Sequence, residues 1–352
     1  MLIKSVRNIA LAGFLFAVLA ACEGEPLPSA DPPTQLITNV ILIDGTGTPR
    51  RKESVRVLGG KILDAGDLNK RPNDIVIDGG GQILAPGFID THSHADAELF
   101  DQPSALAAVS QGITTVVIGQ DGSSPLPLFD FRLKLLDWPV AINIAAFSGH
   151  NTLRNHVLGE NYQREATEPE IAVMSQFLRE DMQAGALGLA TGLEYDPGIY
   201  SSAEEVIALA RVAAKLGGRD INHIRSEDRW FEQAIDEVIE IGREVNLPVQ
   251  VSYIKLASAG LLSLEEAVHK MTGQLAKHLG FVNRGVIRPG AAADLVLFDP
   301  DSVIDNATPQ NPGALSSGIS KTWVNGQIVF EDGRATGLVP GRFIARANTL
   351  TE

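Results

Sequence analysis

Cysteine is nearly absent. The 352 residues contain one, Cys22, which excludes an intrachain disulfide. Positive charge is also scarce, with 29 Lys and Arg against 43 Asp and Glu and a net charge of −14. No basic cluster offers a phosphate-binding stripe, so nucleic acid is not an expected partner. The apolar run from Ile9 to Ala21 is too short to span a bilayer. What remains is an ordinary globular composition, 44% hydrophobic with 34 glycines, long enough for one large domain or two smaller ones. The acidic balance suits a soluble enzyme or a cell-surface protein.

The lone cysteine is explained by its position. Lys4 and Arg7 precede the apolar run, which ends Leu19-Ala20-Ala21-Cys22. This end resembles a bacterial lipobox, which implies cleavage before Cys22 and lipidation of its thiol. Glu23, rather than Asp, follows, which in Gram-negative lipoproteins resembles outer-membrane sorting and implies a chain facing the periplasm. The expected division is therefore a signal peptide over 1–21 and an extended Pro-rich tether over 22–34.

The most informative stretch is Pro86-Gly87-Phe88-Ile89-Asp90-Thr91-His92-Ser93-His94-Ala95-Asp96. Side chains two apart on a strand share a face, so a strand here would project His92 and His94 together. At the carboxyl end of a barrel strand, two imidazoles suit a divalent metal. The competing reading is a pair of solvated or core histidines, against which the flanking Pro-Gly-Phe-Ile-Asp counts.

The pattern changes along the chain. Residues 35–85 read as short strands broken by turn signals, from Leu36–Ile43 to Gln82–Leu84. From Ala85 onward strands alternate with helices. Strands are expected at Gly87–His92, Thr114–Gly119, Ala141–Phe147, Ala186–Thr191, Asp220–His223 and Val249–Ile254. Capping boxes at Thr167–Glu170, Ser202–Glu205 and Ser263–Glu266 open amphipathic helices, the last running as one helix over 263–279. Strand signals return at Asp294–Phe298 and Thr322–Phe330, with Asn325-Gly326 as a hairpin turn. The β-module is thus split, 35–85 with 281–345, around a β/α region over 86–280. A closed barrel needs eight strands, and the interval from Ile254 to Asp294 does not hold two more βα units.

Together these motifs resemble the amidohydrolase superfamily, in its D-aminoacylase (N-acyl-D-amino-acid deacylase) branch. The resemblance is carried by Pro86–Asp96, Gly112–Val117, Gly149–Arg154, Gly188–Tyr195, His223–Glu227 and Asn283–Val296, and runs from about residue 36 to 343. It implies a TIM-like (β/α)8 metal-dependent hydrolase barrel, here incomplete with about six strands, and a small β-sandwich built from both chain ends. It further implies hydrolysis of a small-molecule N-acyl amide assisted by one or two zinc ions, or another divalent metal. By that resemblance His92, His94 and His223 are metal ligands. Asp121, in Gly119-Gln120-Asp121-Gly122, stands where the family often has a bridging cysteine. Glu194 reads either as a bridge or as a solvated loop glutamate.

The chain also departs from the family pattern. Tyr253 stands where a sixth-strand histidine is usual, and a phenol there could hydrogen-bond to bound water. The family's catalytic aspartate follows the last barrel strand, and no segment here matches it. The residues imply an internal deletion of the last two βα units, between about 255 and 263. His150 could contact substrate or hold a structural hydrogen bond. Arg225 could fork onto a substrate carboxylate or pair with Glu227 or Asp228. Lys255 matches a family lysine, Asp90 and Asp96 could orient the histidines, and His156, His269 and His278 have no expected chemistry. Open strand edges would favour association, with a strand-exchanging homo-oligomer as one outcome.

Overall fold

A computed structural model describes residues 32–252 and 262–347. The sequence readings at Cys22, Tyr253 and Lys255, together with the signal and most of the tether, lie outside these residues.

Five strands open the described chain: β1 (Thr34–Leu42), β2 (Arg51–Leu58), β3 (Lys61–Gly66), β4 (Asp74–Asp78) and β5 (Ile83–Pro86). Seven short parallel strands follow: β6 (Phe88–Asp90), β7 (Ile113–Ile118), β8 (Asn143–Ala146), β9 (Ser148–Gly149), β10 (Gly188–Gly192), β11 (Arg219–His223) and β12 (Val249–Val251). Between and after them run α1 (Leu106–Val109), α2 (Leu128–Asp137), α3 (His150–Leu158), α4 (Glu168–Gln183), α5 (Ala203–Lys215), α6 (Phe231–Val245), α7 (Leu264–Met271) and α8 (Gly273–Leu279). The chain closes with β13 (Leu295–Phe298), β14 (Ile319–Val324), β15 (Gln327–Glu331) and β16 (Arg334–Ala335).

The first five strands and the last four form one nine-stranded sheet, in the order β16-β15-β14-β13-β5-β1-β2-β3, with β4 also on β1. Its two faces alternate as strands require. Leu295 and Leu297 join one core with Val55, Ile62 and Trp323, while Val296 and Phe298 join another with Ile43 and Val268. The segment before β13 bonds back to β3, with Gly290 and Ala291 exchanging hydrogen bonds with Ile62, so the sheet curls around the first core. The β14–β15 turn places Asn325 and Gly326 both at positive φ, 46° and 79°, the geometry a two-residue hairpin needs.

The parallel strands form two sheets, β6-β7-β8 and β9-β10-β11-β12. Residues 143–149 belong to both, pairing with β7 through their first half and with β10 through their second. Among the described residues the ring does not close, because β6 and β12 are each terminal in their sheets. Ile89, Val117, Ala145, Ala190 and Ile221 meet inside, and Ala276, Leu279 and Phe281 from α8 and just after it complete that core. The C-terminal segment runs along β8, where Arg342 and Ile344 bond with Ile144, and Arg346 then donates to the Gly185 carbonyl.

Two helix expectations need correction. The 263–279 helix is two helices broken at Thr272, whose φ and ψ are −136° and −88°. The reason is contact with the sheet domain: a Cβ on Gly273 would stand 2.2 Å from the Gly45 carbonyl, and His269 Nδ1 lies 2.7 Å from the same oxygen. Thr167 and Ser263 form full capping boxes, but Ser202 is only a half-box. Its hydroxyl accepts from Glu205 N–H, while the Glu205 side chain turns into the core.

Strand β11 also buries a carboxyl on the face away from the barrel interior. Asp220 is 1% exposed and accepts from Asn222, which in turn accepts from Thr191. Burial pushes the Asp220 carboxyl up to about 7. An unfolded aspartate titrates near pH 4, so this site costs stability progressively above that pH, and the cost is complete once pH passes the folded value. Asp220→Asn is expected to raise stability by roughly 2–4 kcal/mol at pH 8 and by little at pH 4, as read by urea unfolding. An equal effect at both pH values would refute the buried neutral carboxyl.

Candidate metal centre

The site is assembled at the carboxyl ends of the parallel strands. Strand β6 ends at Asp90, so His92 and His94 do not sit on a strand as the alternation argument required. Instead the Asp90 carboxylate accepts the His92 N–H at 3.0 Å and turns the chain, and His94 precedes a 3-10 turn over Ala95–Ala97. The two imidazoles still converge, with ring centroids 5.4 Å apart. His223 ends β11 on the same face as Ile221, so the inward alternation holds for that residue.

Asp121 is where they meet. Its Oδ2 lies 3.3 Å from His92 Nε2 and 3.1 Å from His94 Nε2, and its Oδ1 lies 3.3 Å from His223 Nδ1. Burial works against this carboxylate, but the hydrogen bonds from His223 and His92 outweigh it and hold the group well below the usual carboxylate range. His223 shows the complementary balance: burial disfavours its charged form, and the Asp121 and Glu194 carboxylates raise its pKa all the same.

The Asp121 loop is fixed by its neighbours. Asp121 has φ 53°, flanked by Gly119 at φ 84° and Gly122 at φ 76°. A Cβ on Gly119 would stand 2.3 Å from the Phe147 carbonyl, and one on Gly122 would stand 2.4 Å from Asn151 Oδ1. Asn151 also donates to the Gly192 carbonyl at 3.1 Å, so one amide side chain braces the Asp121 loop against the end of β10.

Beyond β10, Glu194 Oε2 lies 3.2 Å from His223 Nε2, with the glutamate side chain 39% exposed. Two further neighbours of His223 were not expected beside it. Glu227 Oε1 is 3.6 Å from His223 Nε2, and the Tyr195 hydroxyl is 3.4 Å from His223 Nδ1, with ring centroids 4.5 Å apart. Both lie in stretches that carry the family resemblance, Gly188–Tyr195 and His223–Glu227, and Glu227 was weighed there only as a partner of Arg225.

His150 takes the second of its two expected roles, a structural hydrogen bond, while Arg225 pairs with a carboxylate that the sequence reading did not name. His150 has no exposure; its Nε2 lies 2.7 Å from Glu205 Oε1, and Arg154 closes the other side of Glu205. It is a core residue because α3 begins at His150 and turns it toward α5. Arg225 makes its bidentate fork with Glu237 on α6, at 2.8 and 2.9 Å, and donates to the Ile199 carbonyl. Its guanidinium is engaged by the protein itself, by a partner other than Glu227 or Asp228.

The donor set fits a divalent ion. One ligand atom from each of His92, His94 and Asp121 lies within 4.8 Å of the others, and His223 adds a third imidazole on the same carboxylate. Mixed imidazole and carboxylate donors suit zinc and similar metals.

Most of the chain matches known proteins. Residues 75–261 and 256–330 match the model of the amidohydrolase family. The chain is 28% identical to an N-acyl-D-aspartate deacylase of Alcaligenes xylosoxydans xylosoxydans over 484 aligned positions, covering 91% of this chain and 97% of that protein. At least 132 of those 484 positions have no counterpart in a chain of 352 residues. An N-acyl-D-glutamate deacylase of the same organism is 38% identical over 236 residues, 61% of this chain and 48% of that protein. Among solved structures, D-aminoacylase superposes with a TM-score of 0.82 at 27% identity, covering 89% of this chain and 99% of that one. N-acyl-D-glutamate deacylase from Bordetella bronchiseptica, complexed with zinc and a phosphonate inhibitor, gives 0.83 at 28% identity, covering 90% and 100%. The family match restarts near residues 256–261, which fits an internal gap in the alignment.

The loop around Asp121 yields a test. Gly122→Ala forces a side chain into a left-handed position against Asn151. It is expected to cost about 1–3 kcal/mol of stability and to weaken divalent-metal binding about tenfold or more. Competition with a chromophoric chelator measures the affinity; unchanged binding would show that the loop does not set the site.

Proposed function

The chain belongs to the amidohydrolase family, in its D-aminoacylase branch, and from that premise we propose that it is a zinc-dependent hydrolase of N-acyl-D-amino acids with reduced turnover. The observation that carries the reading is the convergence of His92, His94 and His223 on Asp121. A divalent ion held by these donors supplies a Lewis acid that polarises an amide carbonyl. The chain's own residues do the rest. Asp121 fixes the imidazoles, Asp90 orients His92 through its backbone, and Glu194 and Glu227 flank His223 at the open end.

Reduced turnover follows from what the alignment leaves out. Amide hydrolysis needs a group to move protons between water and the leaving amine. In the family that group follows the last barrel strand, inside the length this chain lacks. A second reading, a protein that binds metal without turnover, is favoured by that same gap and by the open ring between β12 and β6.

Elemental analysis of folded, zinc-reconstituted protein is expected to find stoichiometric metal, and Asp121→Ala to lose most of it. Absence of bound metal in the wild type would remove the basis of both readings. Hydrolysis of N-acetyl-D-amino acids is expected to be slow but above that of His223→Ala. Indistinguishable rates would establish the non-catalytic reading, and rapid turnover dependent on His223 would show that the missing segment is dispensable.

Export as a lipoprotein belongs to the same proposal and is supported by Leu19-Ala20-Ala21-Cys22 after a basic start and an apolar run. Detergent partitioning of the expressed protein is expected to depend on Cys22. A Cys22→Ala variant that still partitions into the detergent phase would reject the lipid anchor.

A further inference from the structure

Helix α2 carries an apolar stripe on the side facing solvent. Leu128, Phe131 and Leu135 are buried on its inner face. Phe129, Leu133 and Leu136, spaced i, i+4 and i+7, lie outside with 55%, 46% and 78% exposure, and Trp138 just beyond the helix is 64% exposed. An outer barrel helix ordinarily presents polar residues there, and a grouped apolar face of this kind marks a contact surface. Beside the stripe runs a groove of about 290 Å³ between α2 and residues 341–343. Arg132 and Arg342 stand in its walls; Arg132 is half-buried and donates to the Ala184 carbonyl, whereas Arg342 is exposed. Arg132 lies 5.0 Å from the centre of the Phe343 ring. Asp130 and Asp137 fall on the other flank of the helix.

The stripe lies within reach of the tether. Eleven residues, 23–33, separate Cys22 from the start of β1 and can span at most about 40 Å. From the start of β1 to α2 the path is a short run of hydrogen bonds. Gln35 donates to Gly326, the adjacent Asn325 donates to Pro340, and Gly341 donates to Val140, two residues past Trp138.

We propose that this face of α2 rests on an anionic phospholipid surface, with the apolar stripe against the acyl region and the exposed Arg342 guanidinium on headgroup phosphates. The chemistry of each part fits: aromatic and aliphatic side chains at the membrane boundary, Trp138 at headgroup depth, and a cation for the phosphates. The inference rests on the lipid anchoring proposed above. A lipid on Cys22 would hold the face near the bilayer at high effective concentration, so a weak patch suffices. Docking would also fix the orientation of the barrel mouth relative to the membrane.

The single cysteine permits a test that does not depend on cellular lipidation. The chain from Cys22 onward, which contains every described residue, is coupled through that thiol to a maleimide lipid in phosphatidylethanolamine–phosphatidylglycerol vesicles containing brominated phosphatidylglycerol. Tryptophan quenching by the brominated lipid is read. Trp323 is fully buried, so Trp138 and Trp230 are the exposed reporters. Quenching is expected to be lost in Trp138→Phe and retained in Trp230→Phe. Leu136→Glu and Arg342→Gln, both at exposed positions, are expected to diminish it. Equal quenching in Trp138→Phe and the parent would overturn the proposal. So would an unquenched parent that is dimeric in solution and becomes monomeric in Leu136→Glu, which would assign the stripe to a second copy of the chain. Failure of the Cys22 partitioning experiment with quenching intact would reject the natural anchor and leave the docking face standing.

Discussion

One carboxylate organises the mouth of the barrel. Three imidazoles from two separate stretches of chain, His92 and His94 after β6 and His223 at the end of β11, converge on Asp121. Three imidazoles this close favour either a shared anion or a shared metal, and Asp121 supplies the anion from within the protein. It can do so only in a backbone conformation that an L-residue seldom adopts, at φ 53°. That conformation costs on the order of 1–2 kcal/mol and persists because the flanking glycines are packed too closely for any alternative. Local strain and site geometry are therefore the same feature.

The rest of the fold retains what this site needs while lacking a quarter of the aligned length or more. The barrel interior keeps its core because α8 and Phe281 pack beneath Ile89, Val117 and Ile221. The nine-stranded sheet holds the two chain ends together, with β13 paired to β5 immediately before β6 begins. What the missing length leaves behind is exposure. The edges of β6 and β12 carry no strand among the described residues, and a cavity of about 450 Å³ lined largely by apolar side chains lies between β6, α7 and residues 303–319. Edges and apolar voids of this kind invite association rather than catalysis.

Much of this was legible in the chain itself, for physical reasons that can be named. Periodicity located the parallel strands, and Asn325-Gly326 located a hairpin, because those signals are local. His92, His94, Asp121 and His223 were legible as a set through resemblance, since spacing alone cannot bring residue 223 to residue 92. The expected strand through His92 failed because an Asp90 side chain captured the backbone two residues on, a competition that residue type permits but does not announce. The partners of Arg225 and His150 were not legible for a different reason. Each had a carboxylate partner, Glu237 and Glu205, far along the chain, and long-range ion pairing leaves no trace in a single sequence. The break at Thr272 depended on the approach of Gly45, more than two hundred residues earlier.

The Glu205 cluster shows how such unannounced contacts reach the site. Burying a charged glutamate is costly unless it is paired and hydrogen-bonded. Burial pushes the Glu205 carboxyl up, but His150 and Arg154 more than compensate and hold it below its ordinary value. Arg154 also donates to the carbonyls of Tyr162 and Arg164, so α3 is pinned to α5 and to the loop that follows it. Asn151 is the next residue on α3, between His150 and the turn that carries Arg154, and its amide is the one lodged between Gly122 and Gly192. The buried ion network therefore fixes the helix, the helix fixes the amide, and the amide holds the Asp121 loop against β10. His150, read either as a contact for substrate or as a structural hydrogen-bonding residue, takes the structural role and acts on the site through this chain of packing.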